Sequence, residues 1–276
     1  MNPLSKSITA DNANTESHSD TYSESYFDAL YSDNTDPWEY QTRWYEKRKR
    51  DMCLAVLPQA QYGNAIELGC GNGVFSELLA RRCQALVSID GNSQAVKLAK
   101  RRLAESSHVS VIQGVIPATL FALQDTLLSD CPLSDYSLST CPLSERPQAD
   151  GSLLNDSQSD ISLINKTPFD LIVISEILYY LSPTDIDVVI AWIKQNLTSG
   201  GTLICCHWRY PIDGFEMTGE TVHRRLQQAF NDATNEDKET HQQAALTHQS
   251  KLVDTDFLLD VWQNTSDSIA EQENLV

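Results

Sequence analysis

Asn64-Ala65-Ile66-Glu67-Leu68-Gly69-Cys70-Gly71-Asn72-Gly73-Val74-Phe75 joins a short apolar run ending in an acidic residue to three glycines at alternate positions, then to the start of a helical apolar pattern. That order predicts strand, tight turn and helix. Glycines in such a turn admit positive φ and let a ligand approach the main chain, while the first helical turn offers N–H groups without intrahelical partners. The expectation is a nucleotide-type site. A dinucleotide fingerprint needs G-x-G-x-x-G, its third glycine allowing close helix–strand packing and its helix start facing a pyrophosphate. Here Val74 stands where that third glycine would be, and Glu67 lies two residues before Gly69, setting anion near anion if a diphosphate were bound. A ligand carrying positive charge suits the arrangement better, with a nicotinamide-dependent oxidoreductase as the competing reading.

A chain of 276 residues holds one large α/β domain with trimmings, or at most two small ones. Its formal net charge of −18 would repel a phosphate backbone, so nucleic acid is not expected as a partner. No apolar run approaches the ~20 residues that span a bilayer, and no charged-then-apolar leader opens the chain, so neither membrane nor export is expected and the cytoplasm is the predicted compartment. The 7 cysteines lack C-x-x-C spacing and fit reduced thiols rather than a disulfide or zinc framework. No metal site is expected. Cys70, with no histidine nearby in sequence, reads as a small filler in the loop rather than a nucleophile.

Residues 1–24 are rich in Ser, Asn, Thr and Asp and are expected to be a disordered tail. Aromatic residues then crowd together, from Tyr26 and Phe27 through Tyr31, Trp38 and Tyr40 to Trp44 and Tyr45. Residues 25–60 are expected to form N-terminal cap helices, the second running from Trp38 to Leu57 after a turn at Asp36-Pro37. Trp44, Met52 and Leu54-Ala55 are assigned to its apolar side. Arg43, Lys47, Arg48, Lys49 and Arg50 then read as a solvated face, the sharper alternative being a patch that touches a substrate or cofactor carboxylate.

Beyond the glycine loop, residues 85–90 form a second strand whose terminal Asp90 can accept from both ribose hydroxyls of an adenosine, with Gly91 beside it. Asn92-Ser93 caps the next helix, and Val109 to Gln113 is a third strand ending at Gly114-Val115. Residues 124–166 are acidic and serine-rich with a short internal duplication, and are read as a disordered insert. The apolar run Phe169 to Ser175 is a strand buried on both faces, so Ser175, Glu176 and Tyr179 fall at the carboxyl edge of the sheet where ligands bind. Ser182-Pro183 starts a helix that Gly200-Gly201 ends. Residues 202–206 form a fifth strand that delivers His207 to the same edge. Two further strands, 244–253 and 256–262, close the sheet as an antiparallel pair, and residues 263–276 are a frayed tail.

The pattern E-x-G-x-G-x-G resembles motif I of the class I S-adenosylmethionine (SAM) methyltransferases, and Asp36-Pro37-Trp38 followed by Trp44-Tyr45-Glu46-x-Arg48-Lys49 resembles the nodulation protein S family of N-methyltransferases. The resemblance implies a Rossmann-like class I methyltransferase α/β fold over residues 25–262, with a seven-stranded, mostly parallel sheet, helices on both faces and a closing antiparallel strand pair. It implies that Glu67, Gly69, Cys70, Gly71, Asp90, Gly91 and Ser175 surround SAM, with Tyr31 and Trp38 folded over it. It also implies an adenine-binding Asp after the third strand. Val115 stands there instead, so backbone groups of Gly114 or Val115 would serve. The implied acceptor is an amine on a small molecule or on an amino sugar or oligosaccharide such as a deacetylated chitooligosaccharide. Glu176, with His207 as its competitor and Tyr179 beside it, is the catalytic candidate. An oxidoreductase and a non-catalytic binding protein remain as alternatives.

Overall fold

The computed structural model describes residues 24–32, 34–129, 168–231, 246–265 and 267–275. In chain order these form α1 (Glu24–Ser32), α2 (Trp44–Ala55), β1 (Tyr62–Leu68), α3 (Val74–Leu79), β2 (Cys83–Asp90), α4 (Ser93–Arg102), β3 (Val109–Gln113), α5 (Ala118–Ser129), β4 (Phe169–Ser175), α6 (Pro183–Asn196), β5 (Leu197–Trp208), α7 (Gly219–Asn231), β6 (Thr247–Val253), β7 (Phe257–Gln263) and α8 (Ile269–Gln272). One seven-stranded sheet runs β3-β2-β1-β4-β5-β7-β6, parallel except where β7 lies antiparallel to β5 and β6. This is the predicted architecture.

The continuous apolar run of β4 is explained by burial on both faces. Ile172 and Ile174 join one core cluster and Leu171 and Val173 the other, as the two-residue strand period requires. All four are at most 1% exposed, each adding about 1.5–3 kcal/mol of burial. The same alternation places Ala65 and Glu67 of β1 toward α3, and His207 and Asp260 on the opposite face, beside α7. The chain order reverses at β1 and β4, so their carboxyl ends open a crevice at that point.

Local signals place most boundaries. Asn92 caps α4 by accepting from the Gln94 and Ala95 amides, and Ser182 caps α6 with Pro183 at the first helical position. Four expectations need correction. The helix expected from Trp38 begins at Trp44, because the Asp36 carboxylate takes the Tyr40 and Gln41 amides into a turn. Gly200-Gly201 lie inside β5 rather than ending α6. The first residues of the expected insert, up to Ser129, continue α5, and the rest of it lies outside the described residues, as does the expected tail at 1–24 except Glu24, which opens α1. After Gln263 the chain forms α8, held by a capping box between Ser268 and Glu271, where a frayed end was expected.

Candidate active site

Gly69, Gly71 and Gly73 take φ of +79°, +54° and +80°, the left-handed turn that carries β1 into α3. At Gly73 the reason is also steric, since a Cβ there would come within 2.9 Å of the Ala99 main chain on α4. At Gly71 the backbone angle alone asks for glycine, since a Cβ would make only ordinary contact with the Tyr31 hydroxyl at 3.5 Å and the Tyr40 ring at 3.7 Å. Asn72 bonds Asp36 at 3.1 Å and Asn92 bonds Asp28 at 2.8 Å, which ties the N-terminal segment over the loop. Trp38 stacks on Tyr40 and meets Tyr31 edge-on, so three aromatic rings cover this edge of the sheet.

Two lobes open around the loop and share Tyr40, Gly69, Gly71, Ser175 and Glu176 in their walls. One, of about 530 Å³, is lined by Phe27, Tyr31, Trp38, Tyr180 and Ile177 with Asp90 and Gly91. Asp90 accepts from the Gly71 amide at 2.8 Å and the Asn92 amide at 2.9 Å, one bond to each carboxylate oxygen. A further lone pair remains on each oxygen for a ribose hydroxyl. Burial raises its pKa, and the two amide bonds oppose that rise.

The other lobe, of about 420 Å³, is charged: Glu46, Lys49, Arg50 and Glu67 line it with Cys70, Asn72, Val74 and Phe75. Its cations come from α2, where Glu46, Lys49, Arg50 and Cys53 are the buried residues. Their spacing of i, i+3, i+4, i+7 is that of an inward helical stripe, filled here mainly with charge. The run read as a solvated face is therefore only partly one, since Lys49 is 5% and Arg50 8% exposed while Trp44, assigned to the apolar side, is 68% exposed. Lys49 Nζ lies 3.0 Å from Glu46 Oε2 and 2.9 Å from Glu176 Oε1. Burial pushes the ammonium down, but Glu176 and Glu46 outweigh it and hold its pKa well above the lysine value. Arg50 differs in having buried Nε and Nη1 groups with no hydrogen-bond partner among the described residues.

Glu176 follows β4 with φ of +59°, a left-handed backbone rare for a residue with a side chain. Its second oxygen accepts from Tyr179 Oη at 2.5 Å and the Trp208 amide at 3.1 Å. With Lys49 on the first, the carboxylate is held by three donors. Burial and the Glu176 charge raise the Tyr179 pKa, so the phenol stays protonated as a donor.

Of the residues expected at the site, Tyr31, Trp38, Glu67, Gly69, Cys70, Gly71, Asp90, Gly91, Ser175 and Glu176 line these lobes. Tyr179, His207, Gly114 and Val115 are not in their walls. Tyr179 reaches the cleft through Glu176. His207 is fully buried, its Nε2 accepting from the Leu178 amide at 3.3 Å, because its strand position faces α7 and not the opening. The Gly114 amide donates to the Asp90 carbonyl at the end of β2, and the Val115 carbonyl accepts from Thr119 at the start of α5. Glu67 is also placed differently from the charge argument made for it. Its Oε2 accepts from Ser76 at 2.5 Å and Ser88 at 2.9 Å, and burial raises its pKa to about 7 against those bonds, which weakens it as a barrier to an anion. Lys49 and Arg50 bear out the alternative reading of the basic run as a patch inside the site, and the helical stripe 46/49/50/53 is the signal that separates them from their neighbours; Tyr40, Tyr180 and Phe27 were not singled out from sequence as site residues.

Residues 29–128 match the family model described as Nodulation protein S (NodS). The nodulation protein S of Rhizobium tropici is 40% identical over 76 residues, 27% of this chain and 32% of that protein. That of Sinorhizobium fredii is 36% identical over 78 residues, 28% of this chain and 36% of its own. The chain thus spans about a third of the length of the curated relatives it matches. In structure it resembles the N-methyltransferase NodS from Bradyrhizobium japonicum WM9 in complex with S-adenosyl-l-homocysteine, with a TM-score of 0.58, 23% identity and coverage of 88% of this chain and 98% of that one. At that identity the likeness is one of fold.

Proposed function

We infer that this chain, nodulation protein S-like over residues 29–128 and a class I methyltransferase in fold, is a SAM-dependent methyltransferase acting on an amine of a small molecule, amino sugar or oligosaccharide. The observation that carries the reading is the polarity of the cleft. A buried guanidinium with open donors stands on one side of the glycine loop, and the Asp90 carboxylate under an aromatic wall stands on the other. An amino-acid nucleoside has that polarity, a carboxylate at one end and a ribose at the other. Arg50 would hold the carboxylate, Asp90 the ribose, and Tyr31, Trp38 and Tyr40 would exclude water.

SAM supplies an electrophilic methyl group on a sulfonium, already a good leaving group. What the protein must add is alignment, water exclusion and stabilisation of a cationic amine product. Glu176, lining both lobes and fixed by Lys49, Tyr179 and Trp208, is suited to orient the acceptor amine and to stabilise the positive charge on it. Those three donors fix the carboxylate in place, and the role assigned to it is electrostatic. The free, buried state of the five described cysteines agrees with a cytoplasmic site of action.

Calorimetry with S-adenosylhomocysteine and with NAD tests the cofactor. Binding of the first and not the second is expected, and the reverse would favour the oxidoreductase. A screen of amino sugars and small amines with methyl-labelled SAM tests the acceptor class; cofactor binding with no methylated amine would favour a binding protein.

A further inference from the structure

Behind the Glu176 turn, side chains from four elements form one polar line. His207 Nδ1 on β5 lies 3.0 Å from His223 Nε2 on α7, His223 Nδ1 lies 2.5 Å from Asp260 Oδ2 on β7, and Asp260 Oδ1 lies 2.6 Å from His248 Nε2 on β6. His207, His223 and Asp260 are at most 1% exposed, while the His248 side chain is 29% exposed and forms the solvent end. At the inner end, His207 Nε2 stands 3.3 Å from the Leu178 amide, two residues beyond Glu176.

The donors and acceptors along this line fix one another. A main-chain N–H only donates, so His207 Nε2 must be bare and its proton must sit on Nδ1. That proton faces His223 Nε2, which must then accept, leaving the His223 proton on Nδ1 and pointed at Asp260. A carboxylate accepts on both oxygens. Burial would raise the Asp260 pKa, but hydrogen bonds from His223 and His248 outweigh it and keep the group ionised. Burial and the neighbouring His223 depress the His207 pKa, so the ring stays neutral. The line is no conduit for protons to the cleft, since its last link is an amide whose proton does not leave.

We propose that Asp260 is a positioning residue for the methyl-transfer site: through His223 it sets the tautomer of His207, and so the bare nitrogen that anchors the left-handed turn presenting Glu176. Calling the site a methyl-transfer site rests on the preceding reading; the tautomer chain does not. The turn needs an anchor because Glu176 adopts a backbone conformation that its side chain disfavours. Its other main-chain tie to β5 is the Glu176 amide on the Cys206 carbonyl, at 2.9 Å.

The test is long-range proton–nitrogen NMR on the full chain with ¹⁵N-labelled histidine, with amide exchange at Leu178 measured beside it. His207 and His223 are both expected as Nδ1–H tautomers. In Asp260→Asn the new NH₂ can face His223, which reverses both rings and sets His207 Nε2–H against the Leu178 N–H. Leu178 exchange should then quicken about tenfold or more. Adding His207→Gln, whose carbonyl can accept from Leu178, should restore slow exchange. If Asp260→Asn does not fold, His207→Gln and His207→Leu decide the matter, with slow exchange expected in the first and fast in the second. An Nε2–H tautomer at His207 in the wild type, or equal Leu178 exchange across these variants, overturns the proposal. S-adenosylhomocysteine calorimetry on the wild type separates the two readings: no binding with both Nδ1–H tautomers present refutes the methyltransferase and leaves the role of Asp260 in the turn intact.

Discussion

The Lys49 ammonium stands 2.9 Å from the Glu176 carboxylate, so a helix that precedes the glycine loop supplies the counter-ion for a group presented after the fourth strand. Removing it would leave Glu46 and Glu176 facing each other with their shared cation gone. Lys49→Met should lower stability by about 3–5 kcal/mol in urea denaturation. Combining it with Glu176→Gln should cost less than the sum of the two single changes, since the second relieves the charge the first exposes.

Glu176→Gln keeps the size of the side chain and removes its charge. Turnover at saturating acceptor should fall while S-adenosylhomocysteine affinity changes only a few-fold, a split read by steady-state kinetics beside calorimetry. Tyr179→Phe should produce a smaller loss in the same direction, since it deletes one of three donors to the carboxylate. Unchanged turnover in Glu176→Gln would take that residue out of the mechanism.

Arg50→Met should weaken S-adenosylhomocysteine binding by about 2 kcal/mol or more, the usual cost of truncating a buried charged partner. An analogue lacking the amino-acid carboxylate should bind wild type and variant alike. Equal losses for both ligands would mean that Arg50 shapes the lobe without touching the carboxylate.

Glu67 makes stability depend on pH with a definite sign. Its pKa rises on folding from an ordinary carboxylate value to about 7, so the folded state holds a proton that the unfolded chain has released. Its contribution is fully present below the unfolded pKa and is lost as pH climbs to about 7. Relative to Glu67→Gln, the ligand-free wild type should lose about 3 kcal/mol between pH 4.5 and 7 and then level off, as followed by urea midpoints at each pH. A difference that stays flat across that window would mean Glu67 ionises freely in the fold.

The parts of the site visible in sequence were those set by short-range rules. The turn glycines, Asp90 at the end of β2, and Ser175 and Glu176 beyond the doubly buried β4 follow from strand period and sheet topology. Lys49 and Arg50 were obscured because a basic run most often lies in water, and their neighbours Lys47 and Arg48 are indeed more exposed. His207 was assigned to the correct edge but not the correct face: the strand continues to Trp208, and it is the Trp208 amide that reaches Glu176. Tautomers, which depend on partners far apart in the chain, leave no pattern in the sequence.

The left-handed backbone at Glu176 has an evolutionary corollary. Glycine would sit there with less strain, so a laboratory selection that rewarded heat resistance alone would favour discarding this carboxylate. Its retention in lineages sharing the turn would therefore record selection for chemistry acting against selection for endurance.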